Sequence, residues 1–124
     1  MCGAVRFDVT SDIGDIVMCH CEQCRRLNSH AMAATRCPAK ALRITQGEAT
    51  LKWHAWTTAE HAFCRECGST LFWRQPNADE ISIAAGSLDT TQPKTLIAHI
   101  FTGEKGDYYA LDDSTPQYLA KEQL

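Results

Sequence analysis

Met18-Cys19-His20-Cys21-Glu22-Gln23-Cys24 puts three thiols within six residues, spaced Cys-x-Cys-x-x-Cys. In an extended segment Cys19 and Cys21 point the same way, because strand side chains alternate. The next two residues can then turn the chain and fold Cys24 back onto that pair. Three converging sulfurs suit a thiophilic ion, zinc first. Forty residues further on comes Cys64-Arg65-Glu66-Cys67-Gly68, a Cys-x-x-Cys knuckle closed by a residue that tolerates positive φ. Two such clusters in one short chain point to zinc.

Length and composition set the frame. At 124 residues the chain is expected to be one domain, 1–124, with a buried core. Hydrophobic content of 44% and charge of 22% are those of an ordinary globular protein. A net charge of −3 gives no basic footprint for nucleic acid. No run reaches the roughly 20 apolar residues needed to cross a bilayer, and no basic leader with an apolar stretch opens the chain. The expected compartment is the cytoplasm, where thiols stay reduced. Seven cysteines cannot all pair as disulfides within one chain, which favours metal thiolates over a disulfide scaffold.

The rest of the chain reads as many short strands with little helix. Val5, Phe7 and Val9 alternate with polar or small residues, and a second strand over 15–21 ends in the first cluster. Residues 22–27 are expected to make a short helical turn and 31–36 a strand closed by Cys37-Pro38. Leu42 and Ile44 before Gly47, then Leu51 and Trp53 after it, predict a hairpin. Strands over 60–63 and 69–74 flank the second knuckle, and further strands follow at 81–85 and 95–101. The tail from Gly103 is polar, with aromatic anchors at Tyr108, Tyr109 and Tyr118.

A structural zinc site closes itself with four protein ligands, whereas a catalytic one keeps a position open. Cys19, Cys21 and Cys24 supply three ligands with no fourth nearby, so this cluster is read as a catalytic or ligand-binding centre. His20 sits between two ligands, should face the other side of the strand, and is left out. Cys64 and Cys67 must borrow partners, and Cys2 is the natural one; this set is read as a fold staple. Cys37 stands outside any ligand spacing and reads as a small thiol, buried or at the surface, free cysteine being commonly a packing residue. The five histidines show no ligand-like spacing and read mostly as structural. Trp53, Trp56, Phe63, Phe72 and Trp73 read as core. Arg25 and Arg26 set two cations beside the thiolates, or else form a solvated basic surface.

Cys2-Gly3-Ala4-Val5-Arg6-Phe7, Cys19-His20-Cys21-Glu22-Gln23-Cys24-Arg25 and Phe63-Cys64-Arg65-Glu66-Cys67-Gly68-Ser69 together resemble the glutathione-dependent formaldehyde-activating enzyme family. Gly86-Ser87-Leu88-Asp89, His99-Ile100-Phe101 and Leu111-Asp112-Asp113 with Pro116-Gln117-Tyr118 extend the likeness over nearly the whole chain. The resemblance implies a mainly β, Mss4-like fold of folded antiparallel sheets carrying two zinc sites. It implies a catalytic zinc on Cys19, Cys21 and Cys24 and a structural zinc on Cys2, Cys64 and Cys67. It also implies a carbon–sulfur lyase-type activity that condenses glutathione with formaldehyde to S-hydroxymethylglutathione, or the reverse. On that reading Arg25 and Arg26 meet a glutathione carboxylate, and Glu22 is the nearest acid. The first cysteine of the family's N-terminal Cys-x-Cys would fall one residue before Met1. A truncated or misassigned start, leaving this site with three thiolates and weakly metallated, is therefore expected. Tyr108 stands where the family often has tryptophan. The family also has a centromere-associated branch, so the competing expectation is a non-catalytic, zinc-stabilised protein-binding module.

Overall fold

The computed structural model describes residues 1–89 and 94–121. Its elements in chain order are β1 (Arg6–Val9), β2 (Ile16–Cys19), α1 (Glu22–Asn28), β3 (Met32–Pro38), β4 (Leu42–Gln46), β5 (Leu51–Ala55), β6 (Glu60–Cys64), β7 (Thr70–Arg74), β8 (Glu80–Ala84) and β9 (Leu96–Ile100). The mainly β reading holds. The chain falls into two compact units, Met1–Gly14 with Thr35–Asp89, and Asp15–Ala34 with Thr90–Leu124.

In the first unit β1 and β4 form an antiparallel pair, and β5, β6, β7, β8 and the end of β3 lie side by side in that order. The core follows from strand alternation. Ile81 and Ile83 leave the same face of β8 and are both buried. They pack with Leu71, Phe72, Ala62, Cys64 and Cys37. Phe7 of β1 meets Phe72 edge to face with centroids 5.0 Å apart. Trp53 stacks on Phe72 from the other strand group, and the Arg74 guanidinium lies 4.0 Å above the Trp53 ring. Cys37, read as a thiol outside the ligand sets, lies in the core at 2% exposure. Trp56 departs from its core reading and is half exposed.

The expected hairpin across Gly47 does not form. β4 pairs with β1, through Phe7–Ile44 and Val9–Leu42, while β5 pairs with β6. The apolar faces of the two segments are each claimed by a different partner, and the link between them is not a two-residue turn. Gly47 adopts φ 75° and starts a 3-10 turn over Glu48–Thr50, which swings the chain away. A Cβ at Gly47 would collide with the Ala4 carbonyl, so here the chain needs glycine for both conformation and space.

In the second unit β2 pairs antiparallel with β3 and parallel with β9. The parallel pair is an addition to the antiparallel sheets that the family likeness implied. β2 stops at Cys19, two residues short of the expected end, and α1 begins at Glu22. Ala98, Ile100, Met32, His20 and His99 are buried here. No helix among the described residues is long and apolar enough to cross a membrane.

Two predictions follow from the first unit. Gly47→Ala should lose about 2 kcal/mol or more in denaturant unfolding. Gly86→Ala, where a Cβ meets open space at ordinary φ, should melt with the wild type. The second concerns His61, buried on β6 and facing His54 across the β5–β6 pair, with ring centroids 5.3 Å apart. Burial, then the neighbouring His54, holds its pKa below the usual histidine value. A depressed folded pKa means that stability is full above the unfolded value, near 6.5, and drains away as pH falls below it. His61→Gln should therefore lose less melting temperature than the wild type between pH 7 and pH 5.

Candidate metal centres

The first group lies at the knuckle between β6 and β7. Cys64 ends β6, its N–H bonded to Ser69 O at 3.0 Å, and Gly68 N–H returns to Cys64 O at 2.8 Å. Gly68 takes φ 76°, the positive angle expected of the residue that closes the knuckle. The link to β1 supplies the third thiol, since Cys2 Sγ stands 3.7 Å from Cys64 Sγ. Two sulfurs on one tetrahedral zinc, each at about 2.3 Å, would stand about 3.8 Å apart, so this edge fits the ion. The Ser69 hydroxyl lies 3.2 Å from Cys67 Sγ and, as the largest cause, holds the Cys67 thiol down to about 6.

The second group sits where β2 passes into α1. The sequence reading kept Cys21 on a strand beside Cys19, but Cys21 is the N-cap residue of α1. Its φ of −59° and ψ of 158° turn its sulfur inward, where it accepts the Cys24 N–H at 3.4 Å. Convergence is therefore achieved by a helix cap rather than by strand alternation. Cys19, Cys21 and Cys24 bring their sulfurs within 4.8 Å of one another, as do Cys2, Cys64 and Cys67. Each group could hold a metal ion, and all seven cysteines are free thiols. Among themselves the thiols of the second group share protons unequally. Hydrogen bonds from Cys19, then Cys24, hold Cys21 down to about 2. Cys19, bonded to Cys21, is pushed up to about 11. Cys24 is pushed up by its bonds to Cys19 and Cys21 and by burial.

The two arginines after Cys24 have different fates. Arg26 Nε donates to Glu22 Oε1 at 2.9 Å, an exposed i,i+4 pair on α1 that also engages the acid nearest the cluster. Arg25 Nε is buried and, among the described residues, has no hydrogen-bond partner. Its charge reaches Tyr109.

Sequence reasoning missed the polar assembly behind the cluster. His20 is wholly buried, with Nδ1 2.5 Å from Tyr109 Oη and Nε2 2.8 Å from His99 Nδ1. Burial, with the nearby His99, His30 and Lys105, pulls His20 down to about 4, so its ring is neutral. The alternation that sent His20 to the other face of β2 was the available signal; a buried imidazole then needs partners on both nitrogens. Nothing local in the sequence names His99 or Tyr109 as those partners.

What fold and site define is a mainly β protein with two three-sulfur groups able to hold metal. The family profile described as glutathione-dependent formaldehyde-activating enzyme matches residues 1–104, a stretch that includes both groups. The chain belongs to that family. It is similar to a protein named an uncharacterized lyase in Schizosaccharomyces pombe (strain 972), with 26% identity over 125 residues, 100% of this chain and 90% of that one. A crystal structure of a Rhodobacter sphaeroides protein matches it with a TM-score of 0.62 at 29% identity, over 74% of this chain and 86% of that one.

The two groups should respond differently to loss of a thiol. Cys64→Ser removes a sulfur that ties β1 to the knuckle and should lower the melting temperature sharply. Cys21→Ser, in a group made from six consecutive residues, should lose one equivalent of bound metal with a much smaller thermal shift. Metal analysis and melting of both variants check this; equal destabilisation would contradict it.

Proposed function

We propose that the chain is a zinc-dependent enzyme of carbon–sulfur lyase type. Its reaction joins a small thiol, glutathione by family, to formaldehyde, giving S-hydroxymethylglutathione, or runs in reverse. The observation that carries this reading is the second group: three convergent sulfurs drawn together within six residues by a helix cap, with the buried Nε of Arg25 one residue further on. Cys19, Cys21 and Cys24 are assigned to the reacting centre, and Cys2, Cys64 and Cys67 to a structural one. Zinc, when bound, supplies the positive charge that keeps a substrate sulfur as thiolate at neutral pH.

The chain's own part is binding and orientation. Arg25, with a buried Nε that has no hydrogen-bond partner among the described residues, one residue after Cys24, is assigned to a substrate carboxylate. Arg26 and Glu22 are occupied with each other at the surface, which makes Arg26 the weaker binder. Holding the thiol end at the sulfurs and a carboxylate at Arg25 fixes the nucleophile for attack on the carbonyl carbon. The new C–S bond forms as the carbonyl π pair moves to oxygen, which takes up a proton. A reduced cytoplasmic setting suits a centre that depends on free thiols.

The test is exchange NMR of glutathione and formaldehyde at equilibrium, where the uncatalysed rate is measured in the same tube. The zinc-loaded protein should speed exchange in proportion to its concentration, and Cys21→Ser should not. Arg25→Ala should weaken glutathione binding about tenfold, the scale of one hydrogen bond to a charged group, while Arg26→Ala stays near the wild type. No acceleration, with glutathione bound equally by wild type and Cys21→Ser, would favour a non-catalytic binding module instead.

A further inference from the structure

We infer that Tyr109 and His99 are positioning residues for the Cys19–Cys21–Cys24 group, acting through His20. This rests on the ligand role assigned to that group above. His20 lies between two of the sulfur-bearing residues, so whatever fixes residue 20 fixes the backbone that carries both. Three bonds do so. The Tyr109 hydroxyl meets Nδ1, His99 Nδ1 meets Nε2, and the His20 N–H donates to Ile100 O at 3.0 Å.

The two partners are themselves held. His99 N–H donates to Pro116 O at 2.8 Å, and Tyr118 N–H donates to His99 O at 2.9 Å. Lys105 Nζ donates to Tyr109 O at 2.7 Å and lies 4.9 Å from the centre of its ring. The His30 ring packs 4.3 Å from the Tyr109 ring. A segment from Lys105 to Tyr118, remote in sequence from the cysteines, thereby clamps the loop that presents them.

Packing alone does not call for this arrangement. An apolar side chain would fill the space behind β2 without the cost of burying two imidazoles that must both find partners. What the network adds is direction, because each ring nitrogen accepts only one narrow approach. Hydrogen bonds made by the ligands themselves orient a metal set, and their loss typically costs about 10–100-fold in metal affinity; here the bonds act one residue away, through the backbone that carries Cys19 and Cys21.

The experiment compares zinc-loaded wild type with Tyr109→Phe and, as control, Tyr108→Phe. Tyr109→Phe keeps the ring and removes only the hydroxyl; Tyr108→Phe removes the neighbouring hydroxyl, which serves His30 rather than His20. Release of metal to a coloured chelator is followed in two phases, the phase lost in Cys21→Ser being assigned to this group. Tyr109→Phe should release that phase about tenfold faster or more, with the other phase and the melting temperature close to wild type. The cobalt-substituted protein should show a shifted absorption band in Tyr109→Phe and an unchanged one in Tyr108→Phe. Unaltered release and spectrum in Tyr109→Phe would overturn the inference alone. So would equal acceleration of both phases with a fall in melting temperature, which marks a general structural role. A wild type with no phase assignable to Cys21 would overturn the ligand assignment, and the inference with it.

Discussion

Sulfur convergence is the constraint on which the rest depends, and it is costly to satisfy across sequence. The sulfurs of Cys2 and Cys64 stand 3.7 Å apart although the residues are 62 positions apart in sequence, so the chain must close a long loop before the knuckle gains its third thiol. Three features make that closure possible. Phe7 anchors β1 against Phe72, in the core beneath the knuckle. The β1–β4 pair sets the direction of the N-terminal segment. Gly47 lets the backbone at Ala4 come closer than any side chain would allow. The Gln46 side-chain amide then donates to Gly3 O at 3.2 Å, next to Cys2.

The second group solves the same problem locally. Its three sulfurs come from one turn of chain, and the cap bond from Cys24 N–H to Cys21 Sγ does the folding back. A seven-residue helix is too short to be stable by itself, so the geometry needs outside support. Asn28 Nδ2 gives some by donating to Cys24 O at 3.0 Å, and Ser29 ends the helix in the left-handed region. Glu104 Oε2 adds more by accepting the Glu22 N–H at 2.8 Å. His20, held on both nitrogens, supplies the rest from behind.

These two designs suit two tasks. A group whose ligands are far apart in sequence contributes directly to folding, because its closure removes conformational freedom from much of the chain. A group made from consecutive residues adds little to folding but can be tuned, since each neighbour acts on a sulfur. The cap bond from Cys24 N–H to Cys21 Sγ is one such action, and Arg25 and Arg26 differ beside it. Adjacent in sequence and equal in charge, one arginine is spent on a surface carboxylate while the other keeps a buried nitrogen that no described residue pairs.

Cysteine spacing by itself determined that Cys19, Cys21 and Cys24 belong together and Cys64 with Cys67, because Cys-x-Cys-x-x-Cys and Cys-x-x-Cys-Gly bring sulfurs close over only a few bonds; that Cys2 joins the knuckle is a matter of the fold. Alternation likewise settled the strands around Phe7, Phe72, Ile81 and Ile83, since one face of each had to be apolar. The tertiary structure decided what depends on partners distant in sequence. Leu42, Ile44, Leu51 and Trp53 look like one hairpin until β1 and β6 compete for them and win. Cys21 reads as a strand residue until Cys24 draws its sulfur into a cap. His20 reads as filler until Tyr109 and His99 arrive from 89 and 79 positions away. Local pattern reports which face of an element is apolar; it carries no information on which remote hydrogen-bonding group will meet a buried polar one, and that choice belongs to the folded chain.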